Sequence, residues 1–120
     1  MMRPALQITS TEHGEVTVLE LSGRLVLDDG DMVFREAINR LMDRNRLKMV
    51  VNLADVTYID SAGIGVLVGR YLGVRRRGGD MKLANLTARS HRVMTITQLL
   101  NVFDCYDSVE EAMRAFGVTV

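Results

Sequence analysis

The segment 58–65, with the sequence YIDSAGIG, places an acid directly beside a hydroxyl at the start of an apolar-periodic run. A hydroxyl residue in that position is typical of a helix N-cap, so we expect Ser61 to accept a backbone N–H bond and begin a helix. A helix N-terminus also favours negative charge, and a phosphate added to Ser61 would meet free amides there. Since Asp60 is adjacent, such a phosphate, with about −1.5 to −2 charges, would change the local field sharply. The pair therefore predicts a phosphorylation switch.

Three glycines recur every fourth residue in the predicted helix: Gly65, Gly69 and Gly73. Each costs about 1 kcal/mol relative to alanine in a helix, so the pattern asks for a reason. One arc of the helix is expected to face the core and contains Ile64, Leu67, Val68, Tyr71 and Leu72. The neighbouring arc is expected to be a docking surface for another protein, with Val66 as an outward apolar knob. Its predicted contacts are Asp60, Ala62, Gly63, Gly65, Val66, Gly69, Arg70 and Gly73. The alternative is that the glycines let another element of the same chain approach.

Composition narrows the class of protein. With 120 residues, 48% of them hydrophobic, the chain is expected to form one globular domain over 1–120. Its net charge of zero argues against binding nucleic acid directly, so its partners are expected to be proteins. Since no apolar run is long enough to span a bilayer, we expect a cytoplasmic protein without membrane insertion. Cys105 is alone, which agrees with a reducing compartment, and it is expected to be a small core residue.

The pattern along the chain predicts an α/β fold. Alternating runs at 6–9 and 16–21 predict an N-terminal hairpin with Gly14 in its turn. Helices and strands are then expected to alternate, which implies a mixed, mostly parallel β-sheet with about four helices. The later strands are predicted at 48–53, 81–84 and 102–106. The first helix is expected to end near Asn45 and the second to cover about 61–77. Thr87 and Ser108 are expected to cap the third and fourth helices. The longest irregular stretch is expected immediately before Ser61, where a loop would carry function.

Two charged clusters allow other readings of the sequence. Asp28, Asp29 and Asp31 are suited to a metal, but acids also collect at helix starts for dipole reasons. No histidine or patterned loop supports a metal there, and no cofactor is expected. The arginines at 75–77 suggest nucleic acid, although cations are equally typical of a helix C-terminus.

A catalytic serine is the third alternative. Asp60-Ser61-x-Gly partly resembles a nucleophile elbow, yet Ile59 stands where that motif needs its first glycine. The only downstream histidine, His91, is expected to face solvent and has no evident carboxylate to orient it. The sequence therefore predicts a protein that is not an enzyme.

The segments 50–53 (VVNL), 56–65 (VTYIDSAGIG) and 69–71 (GRY) together resemble the STAS domain of anti-sigma factor antagonists. The resemblance extends over about 16–116. It implies that Ser61 is phosphorylated by an anti-sigma factor that is itself a serine kinase. The unphosphorylated protein would bind that kinase and free the sigma factor, and phosphorylation would switch this binding off. A serine phosphatase is an optional further partner.

The chain departs from this family's pattern at one place. Many members follow Gly-x-Leu with an aspartate, whereas here Gly23-Arg24-Leu25 is followed by Val26-Leu27. The departure implies either a different cognate kinase or a role outside sigma control. Relatives with this domain also serve as subunits of transporters and sensory complexes, so a constitutive, unphosphorylated STAS scaffold is the alternative function.

Overall fold

The computed structural model describes residues 5–119, which form nine elements. The strands are β1 (Leu6–His13), β2 (Val16–Leu25), β3 (Lys48–Ile59), β4 (Asp80–Ala84) and β5 (Cys105–Tyr106). The helices are α1 (Gly30–Asp43), α2 (Ser61–Arg76), α3 (Ala88–Ile96) and α4 (Val109–Ala115). This order confirms the predicted α/β class with an N-terminal hairpin. The predicted domain limits, 1–120, include terminal residues that lie outside the described range.

The five strands form one sheet in the order β1-β2-β3-β4-β5. β1 and β2 pair in antiparallel register around a two-residue turn in which Gly14 takes the predicted positive φ of 61°. All other pairs are parallel. The sheet is therefore mixed and mostly parallel, as expected.

The sheet is covered on both faces, and β3 shows why. Successive strand residues point to opposite faces, so Met49 and Val51 join one buried cluster while Val50 joins the other. The larger cluster contains side chains of α1, α2 and α3, and the smaller one contains side chains of α4. A strand buried on both faces is hydrophobic without alternation, which is the pattern of 49–51.

The expected irregular stretch before Ser61 is wrong, because β3 continues to Ile59. Its last residues keep pairing with β2, where Leu25 lies opposite Ile59 after two register shifts. Ala54, Asp55, Thr57 and Tyr58 are exposed, so this half of the strand lacks the apolar run that marked the first half. Ser61 therefore follows the end of a strand directly rather than a loop.

Other boundaries moved less. β1 and β2 are longer than predicted, and β5 contains two residues instead of the five at 102–106. The predicted caps of α3 and α4 are confirmed: the Thr87 hydroxyl accepts from the Ser90 amide at 3.0 Å, and the Ser108 hydroxyl accepts from the Glu111 amide at 3.1 Å.

Candidate functional site at the start of the second helix

Asp60, not Ser61, is the N-cap of α2. Asp60 has extended backbone angles, and its Oδ1 accepts a hydrogen bond from the Gly63 amide at 2.9 Å. The prediction that Ser61 caps the helix is therefore wrong by one residue. Aspartate and serine cap helices about equally well, so the sequence DSAG contained both candidates and gave no reason to prefer the second.

The Asp60 carboxylate also holds the loop between β2 and α1. Its other oxygen, Oδ2, accepts from the Leu27 amide at 3.0 Å, while the Asp60 amide donates to the Leu25 carbonyl at 3.3 Å. The bonds from Leu27 and Gly63 lower the pKa of Asp60, because both stabilise the ionised form. Asp60 is thus a charged group that joins two segments at the site.

Ser61 is the first residue of α2, and its side chain is exposed to solvent. Released from capping, the hydroxyl is accessible to a second protein. The first amides of a helix have no partner within the helix, so a negative group on Ser61 would lie near unpaired donors. It would also lie beside the charged Asp60. This arrangement suits the attachment of a phosphate that changes the charge of an exposed surface.

The helical-wheel prediction for α2 is confirmed in part, because Leu67 is buried and Ile64, Val68 and Tyr71 pack against the core. The buried residues are Gly63, Val66, Leu67 and Val74. Val66 is 5% exposed and belongs to the core, so its predicted role as an outward knob is wrong. Leu72, expected in the core, is 42% exposed. The buried side of α2 is therefore rotated towards Val66 and away from Leu72. A helical wheel shows which residues share a side but not which side packs on the sheet.

Gly63 has an intrachain reason to be glycine. A Cβ placed there would lie 2.0 Å from the Leu25 carbonyl oxygen, well inside van der Waals contact. The start of α2 therefore packs against the β2 backbone so closely that no side chain fits. Gly63 is itself buried, and its place in the predicted docking set stays a prediction.

Gly65 and Gly69 have no such reason within the described residues. A Cβ at either position would meet no atom within 4 Å, apart from the helix's own neighbouring backbone. At Gly73 the nearest groups are the Met42 methyl at 3.7 Å and the Arg70 guanidinium at 3.8 Å, which is ordinary contact. For Gly65 and Gly69, the alternative that the glycines admit another element of the same chain is not supported. These two glycines leave an open strip along the outer side of α2, whereas Gly73 lies next to α1.

The remaining predicted contacts are placed at the margins of this strip. Ala62 is half-buried behind Ser61. Arg70 is also half-buried, and its guanidinium donates to Asn39 Oδ1 at 2.7 Å, which ties α2 to α1. Thr57, the second hydroxyl near the site, donates to the Gly23 carbonyl at 3.2 Å. The Ser61 hydroxyl, in contrast to that of Thr57, makes no hydrogen bond within the described residues 5–119.

Sequence reasoning missed two exposed apolar side chains beside Ser61. Leu27 is 61% exposed and is held next to α2 by its bond to Asp60. Tyr58 is 46% exposed, and the Arg89 guanidinium lies 5.4 Å from the centre of its ring. Large apolar side chains that stay in solvent are typical of interaction surfaces when they cluster at a site. The departure after Gly-x-Leu was the available signal for Leu27.

The other candidate clusters have structural roles. Asp29 accepts from the Ala5 amide at 3.0 Å, and Asp31 accepts from the Asp29 and Met32 amides at 3.2 and 2.8 Å. Over residues 5–119, no three acidic, histidine or cysteine side chains are arranged to hold a metal ion. Cys105 is half-buried against the core, and this burial raises the pKa of its thiol.

No hydrogen bond of the described residues joins the Ser61 hydroxyl to His91, whose side chain is exposed on α3. A serine nucleophile needs a base within hydrogen-bond reach. The geometry of the site therefore offers no support for a catalytic serine. Within the described residues, no helix combines the length and the apolar character that crossing a membrane requires.

The family is decided by sequence. The sequence model of the STAS domain matches residues 7–112. The chain belongs to the STAS domain family. An anti-sigma F factor antagonist of Paenibacillus polymyxa is 30% identical to this STAS domain over 113 residues, which are 94% of this chain and 97% of the relative. The resemblance of segment 56–65 is thereby confirmed as a family relationship.

Solved structures agree on the STAS fold. An anti-sigma factor antagonist from Mycobacterium paratuberculosis matches with a TM-score of 0.81 at 20% identity, covering 92% of each chain. The phosphorylated form of the Bacillus cell fate determinant SpoIIAA matches with a TM-score of 0.71 at 21% identity, covering 93% of this chain and 99% of that one. At these identities the similarity establishes the fold alone.

Proposed function

We propose that this STAS domain is a phosphorylatable anti-sigma factor antagonist. In its unmodified form it binds a serine kinase anti-sigma factor, and phosphorylation of Ser61 ends that binding. The observation that carries the proposal is the exposed hydroxyl of Ser61 at the head of α2, free of the capping role that Asp60 performs. The relationship to an anti-sigma F factor antagonist supports the choice of partner.

The docking surface of the proposal is the outer side of α2 together with its flanks. Ser61, Gly65, Gly69 and the exposed Leu72 line one side of the helix. Glycines that no part of the described chain fills allow a partner backbone to approach closely. A serine at the end of that strip is positioned so that its charge state affects whatever is docked there.

The chemical step transfers the γ-phosphoryl group of ATP, held by the kinase. The Ser61 oxygen forms a bond to the γ-phosphorus, the bond from that phosphorus to the ADP oxygen breaks, and the hydroxyl proton passes to a base of the kinase. Chain and kinase must therefore meet with Ser61 in the kinase active site. The docking surface and the phosphorylation site are then parts of one interface.

The experiment is phosphosite mapping of the protein isolated from its native cell, before and after a general stress. We expect a phosphate on Ser61 whose occupancy changes. Thr57→Ala is the matched control, because Thr57 is a nearby hydroxyl already engaged with the Gly23 carbonyl. Phosphorylation of Ser61 should be unchanged in the Thr57→Ala variant, and Ser61→Ala should abolish it.

Binding measurements then separate the switch from a constitutive scaffold. With the kinase recovered by pull-down, Ser61→Ala should bind as the wild type does, and Ser61→Asp should bind more weakly. Equal binding by both variants, with no phosphate on Ser61 under any condition, would favour a STAS scaffold held to its partner by the helix surface alone.

A further inference from the structure

We propose that Asp60 is a positioning residue that couples Ser61 to the loop containing Leu27, so that a phosphate on Ser61 releases Leu27 from the site. The inference rests on the proposed function, since it assumes that Ser61 is the modified residue. It adds a change of surface shape to the change of charge.

The coupling begins with the two bonds of one carboxylate. Asp60 Oδ1 accepts from Gly63 in α2, and Oδ2 accepts from Leu27 in the loop before α1. The two segments are 36 residues apart in sequence, and this side chain bridges them with bonds of 2.9 and 3.0 Å. Any event that moves or neutralises the Asp60 carboxylate acts on both segments at once.

A phosphate on Ser61 is such an event for two reasons. Its charge of about −1.5 to −2 would be added to the residue directly after an ionised carboxylate, and like charges at that separation repel. Its oxygens would also compete for the amides of the first turn of α2, one of which, Gly63, now donates to Asp60. Repulsion and competition both displace the carboxylate from its present position.

The loop is poised to respond at Leu27. The Leu27 side chain is 61% exposed, so packing contributes little to holding it. The next residue, Asp28, has a φ of 61°, a left-handed conformation that non-glycine residues adopt at some cost. The loop keeps a further anchor in the bond from the Asp31 amide to the Val26 carbonyl at 3.0 Å. Loss of the Asp60 bond would thus free Leu27 and Asp28 without unfolding α1.

The consequence concerns partner recognition. The bond to Asp60 holds the backbone of Leu27 next to the start of α2, and the exposed apolar side chain there suits an apolar pocket on the docked kinase. Releasing it would remove an ordered apolar contact at the same time as the phosphate introduces charge. Both changes weaken the same interface, so the switch would be sharper than charge alone allows.

The test installs phosphoserine at position 61 during translation, in the full chain labelled with nitrogen-15, and measures hydrogen exchange of single backbone amides. We expect protection of the Leu27 amide to fall by about tenfold or more, as when a hydrogen bond to a charged group is lost. The Asp31 amide is the internal control and should change by less than about twofold, since its acceptor is Val26. Unchanged protection at Leu27 would overturn the proposal.

Two variants make the test specific to Asp60. Ser61→Ala, without a phosphate, should leave Leu27 protected. In Asp60→Ala the acceptor of the Leu27 amide is absent, so phosphoserine 61 should produce less than about a twofold further change at Leu27. An equal, tenfold fall in this variant would show that the effect bypasses Asp60, and the coupling would be rejected. If phosphoserine 61 disturbs folding, protection of the Leu27 amide is compared between Ser61→Glu, which adds a negative charge, and Ser61→Gln, which does not.

The outcome is independent of whether the cell modifies Ser61, because the phosphate is installed without a kinase. A released Leu27 in a protein that is never phosphorylated in the cell would refute the function and keep the coupling. Phosphorylation of Ser61 in the cell, with unchanged protection of the Leu27 amide, would support the proposed function and refute the coupling.

Discussion

Gly63 and Gly65 lie two residues apart on the same helix, and they differ in whether the surrounding chain leaves room for a side chain. Gly63 is pressed against the Leu25 carbonyl, where even a methyl group would clash at 2.0 Å. Gly65 faces open space, as Gly69 does one turn later. The first glycine is explained by the fold of this chain. Gly65 and Gly69 lower helix stability without an intrachain contact that requires glycine, and we propose that a docked partner is the reason for them.

The largest effect is expected for Gly63→Ala. The new methyl group cannot avoid the β2 backbone without shifting α2, and we expect a loss of about 3 kcal/mol in the free energy of unfolding. Denaturant unfolding measures it. Gly65→Ala is the matched control and should be more stable than the wild type by up to about 1 kcal/mol. Equal stability of the two variants would remove the distinction between the glycines.

Asp60→Ala is expected to have the next largest effect. The variant loses the α2 cap and the acceptor of the Leu27 amide, so we expect a loss of about 2 kcal/mol in unfolding free energy. Ser61→Ala, one residue away, should cost less than about 0.5 kcal/mol, because Ser61 is exposed and does not cap the helix. Urea unfolding of both proteins tests the assignment. A greater loss of unfolding free energy in Ser61→Ala than in Asp60→Ala would show that Ser61 is the N-cap.

Gly65→Ala combined with Gly69→Ala should separate stability from binding. Gly65 is exposed, Gly69 is half-buried, and a Cβ at either position would meet open space, so the two alanines should raise the unfolding free energy by about 1 to 2 kcal/mol. If a partner backbone lies on this strip, the same methyl groups should weaken binding to the kinase by about tenfold or more. Arg35→Ala, at an exposed position on α1, is the control for binding. Unchanged affinity in the double variant would exclude the strip from the interface.

The smallest expected effect is a pH dependence that belongs to Asp60. Its folded-state pKa lies below the ordinary value near 4, so its ionised form contributes stability at neutral pH that is lost as pH falls through the folded pKa. The difference in unfolding free energy between wild type and Asp60→Asn should therefore shrink from pH 7 to pH 3. The ion pair of Glu15 and Lys48 is common to both proteins and cancels. A constant difference would mean that the Asp60 bonds do not favour its charged form.

Much of the fold followed from local sequence. Period-2 and period-3.6 patterns placed the hairpin, the alternation of elements and the caps Thr87 and Ser108, because each of these depends on neighbouring residues. The sequence did not predict the second half of β3, because its exposed side chains form no apolar pattern and its strand conformation depends on pairing with β2. Local signals do not contain information about such pairing.

The site divides in the same way. The sequence by itself determined that an acid and a hydroxyl begin the helix α2, that glycines follow every fourth residue, and that the motif belongs to the STAS family. Only the tertiary structure decided that Asp60 is the cap, that Val66 is buried, and that Gly63 serves packing while Gly65 does not. The reason is that these depend on which side of α2 meets the sheet and on where the Leu25–Leu27 backbone passes. Both are set by long-range contacts between segments that are far apart in the chain.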